Sequence, residues 1–145
     1  MLGGAGAKYK VRGLTFENSG TSASKIEVGS SDDSHGEYED CLFSVGATNS
    51  GTQIRIGCVG STRNYNSFIN CQFSLDHTSQ RIMCGSIVDI IGGGIASGSS
   101  AITAVFVPST STSTSGTLVT VKDFDFTNAS TTASLCGSDG SIVPA

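Results

Sequence analysis

The sequence predicts an all-β chain wound into a short solenoid, and three observations predict it. A brief phrase with two apolar residues one apart recurs four times, at Leu14 and Phe16, Cys41 and Phe43, Cys71 and Phe73, and Phe124 and Phe126. Alternation of period two is the mark of a strand with one buried face. The copies are regularly spaced: Phe16, Phe43 and Phe73 lie 27 and 30 residues apart, and a second alternating segment at Ile26-Glu27-Val28, Ile54-Arg55-Ile56 and Ile82-Met83-Cys84 steps by 28. No stretch carries a helical pattern. Self-similarity at 20 to 50 residues with strands alone indicates stacked repeats.

Stacking gives the phrases a physical meaning. When one coil lies on the next, equivalent positions meet, so the apolar pairs of the phrases should form one interior ladder. Ile26, Val28, Ile54, Ile56, Ile82 and Cys84 should form another. At about 27 to 30 residues per coil the single domain, residues 1–145, has room for about five coils, a stack on the order of 25 Å long at about 4.8 Å per step.

In order along the chain, residues 8–18 read as the first strand, 19–24 as a turn and 25–29 as the second strand. The polar segment 30–36 reads as an exposed loop. The second coil repeats this with strand 38–45, turn 46–51, strand 52–59 and loop 60–66, and the third with strand 68–75, turn 76–79 and strand 81–84. Ser86 to Ile91 is a strongly apolar strand, and Gly92-Gly93-Gly94 must then bend sharply. Ala101 to Val107 is a further strand. Pro108 to Gly116 is a Ser/Thr repeat that reads as an exposed excursion. Leu118 to Phe126 returns to strand, and 128–145 reads as an extended tail. Coils therefore occupy 8–127.

Composition excludes several classes. Net charge is −4, with eight Lys and Arg residues scattered through the chain, so no basic footprint for nucleic acid exists. No apolar run is long enough to span a membrane as a helix. The start, Met1 to Ala7, lacks the charged leader and apolar core of a secretory signal and reads as a native start or a cut in a longer chain. Four of the five cysteines, Cys41, Cys58, Cys71 and Cys84, fall at inward strand positions without ligand spacing. They read as buried free thiols rather than disulfides or metal ligands, which suits a reducing cytosol.

The segments Gly13-Leu14-Thr15-Phe16-Glu17-Asn18, Asp40-Cys41-Leu42-Phe43-Ser44 and Asn70-Cys71-Gln72-Phe73-Ser74 resemble the rungs of right-handed parallel β-helix proteins, the fold of pectate-lyase-like enzymes and of many bacteriophage tailspikes and virion proteins. The resemblance covers residues 8–127 and implies fold far more than activity. It also implies where chemistry would lie, since the family's enzymes gather carboxylates on one outward sheet face to cut acidic polysaccharides. Asp40 and Asp123 are the candidates for such a pair, but intervening coils at about 4.8 Å each should hold them beyond the roughly 5 to 9.5 Å that glycoside hydrolysis needs.

Asp32, Asp33, His35, Glu37 and Glu39 form the densest polar cluster. It reads as a solvated turn in preference to a cation loop, because it lacks the EF-hand pattern. His35 and His77 both fall in expected loops. No nucleophile elbow or phosphate loop is present. Asn128-Ala129-Ser130 matches a glycosylation acceptor by chance frequency. Tyr9, Tyr38 and Tyr65 are the available platforms for stacking a sugar.

The expectation is a non-enzymatic structural component of a virus particle, a phage head decoration (cement) protein or tail component, with no cofactor. It would be assembled in the host cytoplasm and resident in the virion, docking on other virion proteins as a homotrimer whose packing covers its flanks and uncapped ends. The alternative is a polysaccharide-binding or polysaccharide-cleaving module. An ice-binding solenoid is disfavoured because no Thr-x-Thr row recurs at the coil period.

Overall fold

A computed structural model describes residues 6–19, 26–29, 34–46, 54–57, 64–75, 80–85, 87–96, 104–108, 118–129 and 134–136. The strands along the chain are β1 (Lys8–Arg12), β2 (Thr15–Asn18), β3 (Ile26–Val28), β4 (His35–Glu39), β5 (Leu42–Val45), β6 (Ile54–Ile56) and β7 (Tyr65–Ile69). They continue with β8 (Gln72–Leu75), β9 (Ile82–Cys84), β10 (Ile87–Ile91), β11 (Gly94–Ile95), β12 (Ala104–Pro108), β13 (Leu118–Lys122) and β14 (Ser134–Cys136). No helix occurs among the described residues. Every pairing is parallel, and the strands form three stacked sheets. Sheet A runs β1-β4-β7-β10-β13, sheet B runs β2-β5-β8-β11, and sheet C runs β3-β6-β9-β12-β14. A bridge between Gly94 and Asp125 carries sheet B one step further. The result is an all-β, solenoid-like stack.

Each repeat contributes three strands where the sequence predicts two. The phrase around each aromatic is two strands meeting at a corner, one in sheet A and one in sheet B. The corner residues Gly13, Asp40, Asn70, Gly92 and Asp123 all have left-handed backbone, with φ between 52° and 66°. Glycine enters that region freely, and Asn and Asp tolerate it best among the rest. The five corners lie above one another, and Gly13 N–H donates to Glu39 O, Asp40 N–H to Ile69 O, Asn70 N–H to Ile91 O and Gly92 N–H to Lys122 O, all at 2.8 to 3.0 Å. The ladder thus passes through the bend with few buried backbone groups unpaired.

Two expected loops are corrected. His35 begins β4 and Tyr65 begins β7, because each pairs with the strand beside it: Lys8 with His35, His35 with Tyr65, and Tyr65 with Ile87. Ladder hydrogen bonds here override the turn propensity of the residues just before them. Pro108, expected to open the Ser/Thr excursion, closes β12. The rest of that excursion, Cys58, His77 and the tail beyond Cys136 lie outside the described residues.

Inside, side chains of equal register form columns. Phe16 stacks on Phe43 at 4.8 Å and 4°, and Phe43 on Phe73 at 5.4 Å and 16°. Beside them Tyr38 stacks on Phe68 at 4.8 Å and 12°. Ile95 follows Phe73 in register, and Phe126 comes one step beyond, which is why one copy of the phrase shows no aromatic. Ile54, Ile56, Ile82 and Cys84 are wholly buried, and Ile26, Val28 and Phe124 nearly so. Leu14 is a correction: expected in the ladder, it is 53% exposed. It occupies the position below Cys41, but it belongs to the first repeat and no described strand lies beneath it.

Cys41 and Cys71 line the inner side of the corner and give their S–H groups to backbone carbonyls, Cys41 to Glu39 O at 3.3 Å and Cys71 to Tyr38 O at 3.4 Å. Both are free thiols, as is buried Cys84. Burial pushes the Cys71 thiol up to about 12, so it stays protonated and unreactive. The next residue in this column is Gly93, at φ 75°, where any Cβ would collide with the Cys71 backbone.

Candidate functional site

The described interior is largely packed apolar side chains, with Ser34, Asn64, Asn66 and Gln80 buried among them, and the accessible chemistry lies on the outside. The outer face of sheet A holds the densest set of charged and apolar side chains. Alternation places Lys8, Lys10 and Arg12 of β1 outward, followed by His35, Glu37 and Glu39 of β4, Tyr65, Ser67 and Ile69 of β7, Ile87, Asp89 and Ile91 of β10, and Leu118, Thr120 and Lys122 of β13.

The β1–β4 half is a charge ladder. Lys10 Nζ reaches Glu37 at 2.5 Å and Glu39 at 2.8 Å, while Arg12 lies 3.6 Å from Glu39 and 3.2 Å from Asp40. The hydrogen bond from Lys10, helped by Arg12, holds the Glu39 carboxyl below its usual range, and the two glutamates in turn raise Lys10. A hollow of about 320 Å³ opens at this end, lined by Lys8, Tyr9, Lys10, His35 and Glu37.

In the middle, the His35 ring meets Tyr65 edge-on at 4.5 Å, and the Tyr65 hydroxyl donates to Asp89 Oδ2 at 2.6 Å. That hydrogen bond, with burial second, raises the Tyr65 phenol. Towards β13 two apolar pairs appear, Ile91 (41% exposed) beside Ile69 and Leu118 (50% exposed) beside Ile87, with Ser67, Asp89 and Thr120 in the row between them.

The residues singled out from sequence do not converge on a catalytic centre. Asp40 and Asp123 stand in the corner column with Asn70 and Gly92 between them, three steps apart, or about 14 Å. Asp40 is paired with Arg12, and Asp125 is held below its usual range by Thr127, first by its hydroxyl and then by its N–H at 2.8 Å. Of the supposed cation loop, Asp32 and Asp33 lie outside the described residues, while Glu37 and Glu39 engage Lys10. Among the described residues no group of three His, Cys, Asp or Glu could hold a metal. Tyr38 is a further correction. Offered as a sugar platform, it is wholly buried and shares a 2.8 Å hydroxyl contact with Tyr9, and burial pushes its phenol far up. Of the three tyrosines only Tyr65 points outward.

Sequence reasoning missed Asp89, Ile91 and Leu118 as surface groups. Asp89 inside the apolar run Ser86 to Ile91 was the available signal: a charge at that place fixes the outward phase, and Ile87 and Ile91 share it. No family model, curated protein or solved structure matches the chain.

Proposed function

We propose that the chain is a right-handed parallel β-helix of about five coils acting as a non-enzymatic structural component of a larger assembly. Its resemblance implies a phage particle as the setting, with the protein a head decoration or tail component formed in the host cytoplasm and retained in the virion. It docks on neighbouring copies through the β10–β13 half of the sheet A outer face. The observation that carries this reading is two exposed apolar pairs, Ile91 with Ile69 and Leu118 with Ile87, on either side of Asp89, on a face whose other half pairs Lys10 and Arg12 with Glu37, Glu39 and Asp40. Exposed apolar pairs gathered in one half of an outer face on a small acidic domain favour an interface. A homotrimer about an axis parallel to the stack brings equal heights together, so apolar meets apolar and mixed charge meets mixed charge.

Light scattering on the purified chain tests it. Three 14.7 kDa chains should give a particle of about 44 kDa, and Leu118→Asp should reduce it to single chains. A parent chain that stays monomeric and binds no larger assembly sinks the proposal. One feature favours a second reading, a module for acidic glycans: Tyr65 stands outward next to the hollow lined by Lys8, Lys10 and His35. A polysaccharide screen in which the chain shortens a glycan would establish that alternative.

A further inference from the structure

The two ends of the stack complement one another. At the β1 end, Leu14 is 53% exposed and Phe16 half-buried. The first repeat reads Arg12-Gly13-Leu14-Thr15-Phe16 through its corner, and the last reads Lys122-Asp123-Phe124-Asp125-Phe126. Both corners are left-handed, at φ 66° for Gly13 and 54° for Asp123, so the outermost repeats share one backbone shape. Laid one upon the other, Leu14 meets Phe124, Phe16 meets Phe126, and Val11 meets Val121.

The hydrogen bonds match as well. Inside the stack each corner N–H donates to the repeat above, as Gly92 N–H does to Lys122 O. The residue two beyond the corner donates to the repeat below, as Leu42 N–H does to Leu14 O and Asp125 N–H to Gly93 O. By the same rule Asp123 N–H and Phe124 C=O point out of one end, and Arg12 C=O and Thr15 N–H point out of the other. No hydrogen bond among the described residues uses Asp123 N–H. Charges agree too, since Arg12 and Lys122 would sit among Asp123 and the Glu39 and Asp40 that already flank Arg12.

We propose that a second copy of this chain seats head to tail on the first, with β1 of one copy continuing sheet A beyond β13 of the other. Open edges of parallel sheet are templates for such addition. A contact between unlike ends does not close on itself, so it propagates along the stack. This goes beyond the lateral docking proposed above and uses the two ends of the stack instead of its flank.

Cross-linking the 145-residue chain under mild oxidation tests it. Thr15 and Asp125 are exposed and outward and would be neighbours across the junction. Within one chain they stand four steps apart, about 19 Å, beyond the roughly 7 Å that a disulfide spans between Cα atoms. Mixing the single variants Thr15→Cys and Asp125→Cys should give cross-linked pairs absent from either alone, and the double variant should give a ladder of linear multimers. Leu14→Lys, which places a cation in the junction, should reduce the yield at least about tenfold. Two results overturn the proposal: no cross-link in the mixture above that of the parent chain, or equal cross-linking by either variant alone. Ile91→Asp, on β10 one step inside the junction strand, should leave these cross-links intact, so the lateral interface and this junction can fail separately.

Discussion

The two surfaces of sheet A obey different rules. On its inner surface one column repeats apolar chemistry from end to end, Val11, Tyr38, Phe68, Ile90 and Val121. Its outer surface changes from Lys10, Glu37 and Glu39 at one end to Ile91 and Leu118 at the other. The backbone is the same on both sides, so the contrast comes from side chains alone. Repetition inside is what stacking demands. Variation outside is free of that demand and is where role can be written.

Changes on the inside should therefore cost the most, and cost stability. Phe43 is wholly buried between Phe16 and Phe73, and Phe43→Ala should lose about 3 to 5 kcal/mol in chemical denaturation. A loss below about 1 kcal/mol would mean the column is not the core. The corner comes next. Asn70 sits at φ 52°, so Asn70→Val should cost about 1 to 2 kcal/mol while Asn70→Gly stays near neutral. Equal losses for both would show that the Asn side chain, not the backbone, carries the corner.

Much of the inside was legible beforehand, and for a physical reason. Phe43 and Phe73, and Ile54 and Ile82, keep a nearly constant spacing because each must land on its predecessor, and spacing is visible in sequence. The corners were not read, although a signal existed: inward residues run Tyr38, Cys41, Phe43, and the step of three marks a break in the alternation at Asp40. Strand β11 escaped the pattern because Gly93 and Ile95 replace the Cys and Phe of the phrase. The outer face was the least legible. Arg12 meets Asp40 and Tyr65 meets Asp89 across 28 and 24 residues, partners that appear only once the register is known.

Outside, substitution should move association and leave folding alone. Leu118→Asp replaces a half-exposed side chain, so stability should stay within about 0.5 kcal/mol, while self-association falls at least about tenfold as an apolar contact becomes a buried charge. A large loss of stability instead would assign Leu118 to the core. The charged half should respond to acid. Glu39 is held below its ordinary value of 4.5 by Lys10 and Arg12, so the stability it contributes is present above that value and fades as pH falls through its folded pKa. Lys10 is shifted up, so its own share fades only in strong base, above 10.5. The difference in denaturation midpoint between the parent and Lys10→Met should be measurable at pH 7 and disappear in acid below the titration of Glu39. It should also shrink in high salt, as exposed ion pairs do.

The smallest effect belongs to the centre of the face, where the charged and apolar halves meet. Tyr65 donates to Asp89 at 2.6 Å from a partly exposed position, so solvent competes with the bond, and Tyr65→Phe should cost about 1 kcal/mol or less. Its pH signature separates this loss from one of packing. The Tyr65 phenol is raised above its ordinary 10.0 by Asp89, so the bond stabilises the fold fully below pH 10 and is lost as pH climbs through the raised value. The gap between parent and Tyr65→Phe should therefore be flat from neutral pH to pH 10 and close above it. A gap that persists in base would mean that the hydroxyl matters for the edge-on seat of the ring on His35 and not for its bond to Asp89.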